Sequence, residues 1–506
     1  MFSNEIRLVA NLDKSRASID VAWCYPGSYA IGMAGLGYQL VWWLLEQEED
    51  LRVRRCFTDM AESAGFQSHL YGFTLGFELD FVNVIAILEE HGIAPSAARR
   101  QDGDPIVFGG GPVLSANPEP YTDIFDVILL GDAEATVPLF VEGYRKAIKL
   151  EGRRERLEAL AGIPGVYVPS LYLVEYEGAT GVIESISASS SAAPPQVVRQ
   201  VYRAADDYMA KSVFLSPDTI WGATFLLEVV RSCPQECRFC LASYLTRPFR
   251  FASVDAIVKE VEAVKDKIDK VGLLGPSITE HPDFMLLAER LARVSGLKAT
   301  IASVRADTLN VDLVKNIASL GQKSVTIALE SGSTRLREIM KKNLSEAQIE
   351  SAVAAIEEGG LTGVKLYGIA GLPYEVQDDL DETVRLLLSL KKKHKRLRFV
   401  FGLSSFVPKA QTPFQWKGRD KQCASKMEYL RKRLRPSGID VRMESHNWSN
   451  IQALLSRGDR RLSPVLFEVT KKKPGLGAWK RTLKAHQDIC PPLDYFAYRD
   501  IPFAEI

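Results

Sequence analysis

The fold is decided by the stretch Phe225-Leu-Leu-Glu-Val-Val-Arg-Ser-Cys233-Pro-Gln-Glu-Cys237-Arg-Phe239-Cys240. Its first six residues are almost entirely apolar and predict a buried strand, and Pro234 keeps the following loop from starting as a helix. Three cysteines then follow at the spacing C-x3-C-x2-C. Thiolates that converge in so short a loop suit a metal ion or an iron–sulfur cluster. Three protein ligands leave one coordination position open, which is typical of a working site.

Other roles for these cysteines fit the sequence less well. A structural zinc site needs a second pair of ligands, but the nearest histidines are His91 and His281, and no second C-x2-C occurs. A disulfide framework is typical of small secreted chains. The other four of the seven cysteines are scattered singly, which fits a reducing compartment; they are Cys24, Cys56, Cys423 and Cys490.

The composition is that of a soluble globular protein. The chain has 506 residues, 46% of them hydrophobic and 25% charged, so two or three domains are expected. No apolar run is long enough for a membrane span, and residues 1–7 do not resemble the start of a signal peptide. These features predict a cytoplasmic protein.

The charge is unevenly distributed along a chain whose formal net charge is zero. Residues 391–480 hold 23 Lys and Arg against 6 Asp and Glu, a net charge of +17. Such a region is typical of solvated helix faces and helix C-termini, but it also fits an anionic partner such as RNA. Three tryptophans there could stack on bases or pack in a core: Trp416, Trp448 and Trp479.

Residues 1–150 alternate short strands with helices of apolar periodicity. Strands are expected over residues 19–25, 70–75, 105–108 and 125–130, with helices over 33–47, 81–91 and 136–148. This order predicts a doubly wound parallel α/β sheet, which binds ligands at the carboxyl ends of its strands. The loops there contain Tyr25, Thr74 and the glycines Gly109, Gly110 and Gly111. Residues 151–215 form a mixed region, in which 185–195 read as a surface linker.

Residues 216–415 contain six strand–helix repeats. The strands are expected over residues 225–230, 271–275, 298–304, 323–329, 363–369 and 397–403. Six such units predict an open (β/α)6 barrel rather than the closed eightfold form, with its chemistry on the loops after the strands. The cysteine triplet lies on the first of these loops. Residues 416–506 are expected to form a small, basic, helical C-terminal domain.

The triplet, with Phe239 before its last cysteine, resembles that of the radical S-adenosylmethionine (radical SAM) enzymes. The resemblance implies that Cys233, Cys237 and Cys240 hold a 4Fe–4S cluster and that S-adenosylmethionine chelates the fourth iron. It also implies a small electron donor, flavodoxin or ferredoxin, whose electron leads to a 5′-deoxyadenosyl radical.

The ends of the later strands resemble the S-adenosylmethionine-binding loops of the same family. The second strand ends in Gly275-Pro276-Ser277 and departs from the Gly-Gly-Glu-like motif that many members have here for the substrate's amino group. The other loops imply cofactor contacts from Phe239, Ser303, Arg305, Glu330, Ser331, Gly371 and Pro373.

Residues 1–150 resemble the cobalamin-binding domain that precedes many radical SAM cores. The resemblance implies a cobalamin site at Tyr25, Thr74 and Gly109–Gly111. Many corrinoid domains place a cobalt-ligating histidine after the first strand, but residues 25–32 contain none, so the cobalt is expected to lack a His ligand. Residues 456–462 and 495–503 resemble the tail of an uncharacterised radical SAM subfamily with this domain arrangement.

The sequence therefore predicts a radical SAM enzyme, with cobalamin-assisted methylation of an unactivated carbon as the favoured reaction. A methylthiotransferase acting on RNA or protein is the first alternative, although such enzymes carry three more cysteines in the N-terminal domain, where this chain has Cys24 and Cys56. The second alternative is a non-catalytic iron–sulfur scaffold or electron carrier. The strand-end loops argue against it, because a carrier needs no nucleoside pocket.

Overall fold

The structure is a computed structural model that describes residues 2, 4–62, 67–178, 181–203, 209–294, 296–472, 474–488 and 494–498. Cys490, Lys473 and residues 499–503 of the C-terminal motif lie outside the described residues. No helix in the described ranges is long and apolar enough to cross a membrane.

The N-terminal region is built on a six-stranded sheet with strand order β3-β2-β4-β5-β6-β7. Strands β2 to β6 run parallel, and β7 pairs antiparallel with β6. The four predicted strands are present, together with an unpredicted edge strand, β3. The elements are β1 Ile6–Arg7, β2 Ile19–Cys24, α1 Tyr29–Gly32, α2 Leu36–Glu46, β3 Leu51–Cys56, β4 Leu70–Thr74, α3 Phe81–Glu90, β5 Ile106–Gly110, α4 Pro112–Ala116, β6 Val127–Leu129, α5 Ala133–Ala147, α6 Arg153–Ala161 and β7 Val166–Tyr167.

A short connecting region follows. Strands β8 Tyr172–Tyr176 and β9 Ile183–Ala188 pair antiparallel, so the predicted linker over residues 185–195 is wrong in its first part, where Ser/Ala-rich sequence forms half of a two-stranded sheet. Strand β10 Phe214–Leu215 returns to pair with β1.

The following residues form an open barrel of parallel strands. Strands β11, β14 and β15 pair in that order, a bridge between Val304 and Ile327 continues to β16, and β17, β18 and β19 follow. The six predicted strand–helix units are confirmed. The elements are β11 Phe225–Glu228, β12 Val230–Arg231, α7 Leu241–Leu245, β13 Arg250–Phe251, α8 Val254–Val264, β14 Lys270–Leu274, α9 Phe284–Ala292, β15 Lys298–Ile301, α10 Val311–Ser319, β16 Ser324–Glu330, α11 Thr334–Ile339, α12 Glu346–Glu358, β17 Gly363–Ala370, α13 Gln377–Lys393, β18 Arg398–Ser405, α14 Cys423–Leu434 and β19 Asp440–Met443.

The helices of the barrel start where side chains can cap them. Ser253 accepts a hydrogen bond from the Ala256 N–H at the start of α8, and Ser345 and Gln348 form a reciprocal capping box at the start of α12. Apolar residues on the inner faces of these helices, such as Ile257 and Ile349, are fully buried against the strands. Periodicity and capping together therefore fix these helices.

The barrel extends beyond the expected boundary at residue 415. Strand β19 pairs parallel with β18, so the prediction that residues 416–506 are wholly helical is wrong at this point. The run Asp440-Val-Arg-Met is short, polar and at a sheet edge, and its sequence carries little strand signal.

The last three helices pack against the N-terminal sheet domain rather than extending into solvent. They are α15 His446–Arg457, α16 Ser463–Lys471 and α17 Leu476–Ala485. Leu454, Leu466 and Trp479 are fully buried in the same hydrophobic cluster as Phe81 and Leu114 of the N-terminal domain. Arg460 pairs with Glu119 at 2.9 Å. Some of the basic side chains of this region therefore form ion pairs within the protein instead of pointing into solvent.

Candidate active site

The cysteine loop, residues 232–240, leaves β12 and turns tightly before α7. Ser232 and Glu236 have left-handed backbone conformations, with φ of 69° and 49°, and the Cys240 N–H donates to the Cys237 carbonyl at 2.9 Å. Cys237 is buried, whereas Cys233 and Cys240 are partly exposed. Three thiols are thus supplied by one wound loop at the carboxyl end of the first barrel strands.

A second loop, residues 339–343, holds the cysteine loop in place; we call it the lysine loop. The Arg238 N–H donates to the Met340 carbonyl at 2.9 Å, and the Arg238 guanidinium donates to the Ile339 carbonyl at 2.8 Å. The Lys341 ammonium donates to Glu236 at 2.8 Å. These contacts join the loop after the first barrel strand to the segment between α11 and α12.

The thiols fit a thiolate-bound cluster by their chemistry. Burial raises the pKa of Cys237 to about 11, although Lys342 opposes the shift, and burial also raises the pKa of Cys233. Both are therefore protonated in the metal-free chain, and iron binding would release their protons. In the described residues, no three or more His, Cys, Asp or Glu side chains already stand in a metal-ligating arrangement. The fit therefore rests on the chemistry of three reduced thiols in one loop.

The end of the third barrel strand is tied to the cysteine loop by carboxylates. Arg305 forms ion pairs with Glu280 at 3.0 Å and with Asp307 at 2.6 Å, and Gln235 donates to Glu280 at 2.8 Å. These two carboxylates raise the pKa of Arg305 against the lowering effect of burial, so it remains a cation. The predicted Ser303 is partly exposed near this arginine.

The end of the fourth strand combines a strained backbone with a close helix contact. Glu330 is buried and has a φ of 64°. The buried Ser331 hydroxyl accepts the Ser333 N–H at 3.1 Å, and the Gly332 N–H donates to Thr383 at 2.9 Å. A Cβ at Gly332 would lie 2.3 Å from the Thr383 Cα, so this turn requires glycine. Ser331 is therefore committed to shaping the turn, whereas Glu330 faces Lys342 beside the cysteine loop.

The end of the fifth strand is a turn held by a buried carboxyl group. Gly371 has a φ of 73°, and its N–H donates to Glu375 at 2.7 Å. Burial raises the pKa of Glu375 to about 7, with Lys426 opposing the shift. Lys426 is nearer to Asp420, at 2.6 Å, than to Glu375, at 3.2 Å. The predicted Pro373 is partly exposed in this turn.

An apolar cluster joins the cysteine loop to the ends of the fifth and sixth strands. Phe239 packs against Leu336, Met340, Leu372, Phe406 and Phe414. The predicted Phe239 therefore lies between the cysteine loop and the Gly371 turn.

The glycine loop of the N-terminal domain is explained largely by packing. A Cβ at Gly109 would lie 2.8 Å from the Phe125 ring, and Gly111, with a φ of 100°, approaches the Leu75 carbonyl and the Thr74 hydroxyl. Gly110 is different, because its Cβ would make only ordinary contacts. The Thr74 loop and the glycine loop adjoin. Packing within the protein requires glycine at positions 109 and 111 but would allow a Cβ at position 110.

The first-strand loop contributes aromatic surface to the same edge. Tyr25 is half-buried with its ring edge-on to Tyr38, at 5.8 Å between centroids. Asn83 donates to the Pro26 carbonyl at 3.0 Å. Tyr25, Thr74 and Gly109–Gly111 therefore all lie at the carboxyl end of the N-terminal sheet.

This edge of the N-terminal sheet faces the cysteine loop of the barrel. Arg231, two residues before Cys233, pairs with Glu134 at 2.6 Å, and Arg250 pairs with Asp132 at 2.6 Å. Helix α4, directly after the glycine loop, contacts α7, directly after Cys240. The carboxyl ends of the two sheets are thus brought together across one interface.

Comparison with known proteins agrees with this architecture. Residues 227–387 match the Radical SAM superfamily, and residues 62–169 match the family described as radical SAM proteins, N-terminal. An uncharacterized protein of Methanocaldococcus jannaschii is 30% identical over 452 residues, which cover 88% of this chain and 90% of the relative. The chain belongs to the radical SAM superfamily.

Two further similarities are more distant. The tRNA-2-methylthio-N(6)-dimethylallyladenosine synthase of Prosthecochloris aestuarii is 22% identical over 335 residues, 62% of this chain and 74% of that protein. The structure of the cobalamin-dependent S-adenosylmethionine radical enzyme OxsB, with aqua-cobalamin and S-adenosylmethionine bound, aligns with a TM-score of 0.52 at 13% identity over 93% of this chain and 78% of that one. At this identity the OxsB match shows a shared fold.

A radical SAM enzyme uses a 4Fe–4S cluster and S-adenosylmethionine, so the cofactors expected from the sequence are those of the superfamily. Gln235 of the cysteine loop donates to Glu280, the ion-pair partner of Arg305, and Lys342 of the lysine loop donates to Glu330. Sequence reasoning did not find Glu280 or Lys342, the charged partners of Arg305 and Glu330. Neither has a motif of its own, and each is recognisable only once the loops are folded together.

Glu375 makes the stability of the radical SAM barrel depend on pH. Its pKa is near 4.5 ordinarily and about 7 in the fold, so between these values the folded chain keeps a proton that the unfolded chain has lost. Stability should therefore fall as pH rises through this window, by up to about 3 kcal/mol. Glu375→Gln removes the titration and should flatten the dependence.

Thermal denaturation between pH 5 and pH 8 measures this effect. The wild type should lose melting temperature relative to Glu375→Gln as pH rises, while the exposed Glu358→Gln should follow the wild type. A constant difference between the wild type and Glu375→Gln across this range would contradict the assignment.

Proposed function

We propose that this chain binds its 4Fe–4S cluster through Cys233, Cys237 and Cys240 and uses it, with a corrinoid held by the N-terminal domain, to methylate an unactivated carbon. One observation carries the proposal. The carboxyl ends of the two sheets, where ligands are expected to bind, face each other across the ion pair between Arg231 and Glu134. When bound, the cluster supplies the electron that cleaves S-adenosylmethionine to a 5′-deoxyadenosyl radical, and the corrinoid supplies a methyl group.

The residues around the cysteine loop have distinct positioning roles in this proposal. Glu330 supplies a carboxylate beside the cysteines, within hydrogen-bonding distance of Lys342 at 3.1 Å. The Gly371 turn offers a backbone edge without a side chain, and Glu375 fixes the shape of that turn. Phe239 closes the apolar side of the site. Together these groups can orient a charged amino-acid moiety on one side and a flat, less polar moiety on the other.

The corrinoid is assigned to the edge formed by Tyr25, Thr74 and Gly109–Gly111. Gly110 is partly exposed, and a Cβ there would make only ordinary contacts with Leu129, so the protein's own packing does not require glycine. A glycine at such a position lets a flat ligand approach the backbone closely. The likeness of fold to cobalamin-dependent OxsB supports the same assignment. No histidine occurs in residues 25–32, so the cobalt is expected to lack a His ligand from this loop.

A methylthiotransferase acting on RNA is the second candidate, favoured by the similarity to a tRNA methylthiotransferase-type synthase. Two observations weigh against it. Residues 1–150 contain only two cysteines, Cys24 and Cys56, and both are buried. In addition, Arg457 and Arg460 of the basic region are engaged internally, with the Lys417 and Tyr172 carbonyls among their acceptors, which leaves them less available to phosphates.

The cysteine assignment is tested by single substitutions. Anaerobically reconstituted wild type should bind about four irons per chain, and Cys233→Ala, Cys237→Ala and Cys240→Ala should each lose most of the visible cluster absorbance. Cys423→Ala is the matched control, because Cys423 is a buried thiol that contacts the Ala370 carbonyl at the end of a barrel strand. Full iron content in the single triplet variants would place the cluster elsewhere.

The corrinoid assignment is tested by cobalamin binding to Gly110→Ala. The substitution should leave the melting temperature near that of the wild type, because a Cβ there makes only ordinary contacts, but it should weaken cobalamin binding about tenfold, or 1.4 kcal/mol. Gly109→Ala should instead destabilise the fold by its clash with Phe125. Electron spin resonance of bound cob(II)alamin should show no nitrogen splitting from a protein histidine. Such splitting, or no binding by the wild type, would refute the assignment.

A further inference from the structure

Lys342 is a buried lysine beside the cysteine loop. It is 9% exposed, and its ammonium donates to the Glu330 carboxylate at 3.1 Å. Lysines are rarely buried without a specific partner or role, because removing an ammonium group from water is costly. The adjacent Lys341 shows the contrast, since its side chain is 42% exposed and pairs with Glu236 near solvent.

The backbone of the lysine loop is built to place this side chain inward. Lys341 and Asn343, on either side of Lys342, both have left-handed conformations, with φ of 57° and 40°, which non-glycine residues rarely adopt. The Lys342 N–H donates to the Arg337 carbonyl at 2.8 Å, and the preceding Met340 carbonyl accepts from Arg238 of the cysteine loop. Two unfavourable conformations flanking one buried cation indicate that its position is enforced by the fold.

The charge on Lys342 is retained in this environment. Burial lowers its pKa, but the Glu330 carboxylate that accepts its hydrogen bond outweighs that effect, and the pKa is raised. Arg305 is a second cation nearby, and it is already paired with Glu280 and Asp307. Lys342 is therefore a fixed positive charge close to the buried cysteine of the triplet.

We propose that Lys342 raises the reduction potential of the cluster held by Cys233, Cys237 and Cys240. The inference rests on the cluster assignment of the proposed function. Reduction adds one electron, and so one negative charge, to the cluster, with a flavodoxin- or ferredoxin-type donor as the electron source and no bond made or broken in that step. A buried cation stabilises the added charge more strongly than a solvated one, because the surrounding protein screens it less.

The experiment is a redox titration of the anaerobically reconstituted chain, without S-adenosylmethionine, followed by the spin resonance signal of the reduced cluster. Lys342→Met should shift the midpoint potential to more negative values. Lys342→Arg, which keeps the positive charge, should have a potential close to that of the wild type. Glu330→Gln, which removes the opposing charge, should shift it to more positive values. Lys341→Met is the matched control, and its shift should be at most one third of that of Lys342→Met.

The outcomes separate this inference from the proposed function. A wild type that takes up no cluster would refute the cluster assignment itself. A wild type with a full cluster whose potential equals those of Lys342→Met and Glu330→Gln would overturn the role of Lys342 alone, as would equal shifts from Lys341→Met and Lys342→Met. If Lys342→Met does not fold, Lys342→Gln takes its place. It keeps a polar group opposite Glu330 but removes the positive charge, and it should also shift the midpoint potential to more negative values; an unchanged potential would overturn the role of Lys342.

Discussion

The arrangement of the molecule depends on the ion pairs that hold the carboxyl ends of the two sheets against each other. Arg231 contacts Glu134 of the N-terminal domain and Glu228 at the end of β11, each at 2.6 Å, and Arg250 contacts Asp132. Buried ion pairs of this kind contribute more to a defined geometry than to net stability. Because Arg231 lies two residues before Cys233, the contact that fixes the interface also fixes where the cysteine loop begins.

The barrel side of the site could be predicted from sequence because its signals are local. The cysteine spacing, Pro234 and the apolar strand before them define the loop, and the helix caps at Ser253 and Ser345 define where helices start. The strand-end turns at Gly332 and Gly371 are likewise recognisable, since each needs a residue without a Cβ for a reason that the structure makes explicit.

What sequence could not predict depends on contacts between distant segments. Strands β3 and β19 are edge strands rich in charged residues. The alternation Leu51-Arg-Val-Arg in β3 is only four residues long, and β19 buries no residue, so both signals are weak. The direction of basic side chains is also hidden from sequence. Arg460 turns inward to Glu119, whereas Lys432 and Arg433 at the end of α14 are exposed. The position of Lys342 beside the cysteines is seen only in the folded structure, where the lysine loop contacts the cysteine loop.

The basic region, residues 391–480, also shows that the position of a charged surface depends on contacts that sequence does not reveal. A Cβ at Gly438, just after α14, would lie 3.9 Å from the Lys391 side chain near the end of α13, so the exposed basic residues that end these helices share one surface. Helices α13 and α14 run back from the carboxyl ends of the strands they follow, so this surface lies at the opposite end of the barrel from the cysteine loop. The charge asymmetry of the sequence therefore does not identify what enters the site.

The most direct test of the account is whether the reduced, cluster-loaded chain cleaves S-adenosylmethionine. Chromatography and mass spectrometry of the anaerobic reaction with dithionite should detect 5′-deoxyadenosine, formed only when both cluster and reductant are present, and Glu330→Ala should form less of it with the cluster intact. An intact, fully reduced cluster that leaves S-adenosylmethionine uncleaved would contradict the account and identify the chain as an electron carrier or scaffold.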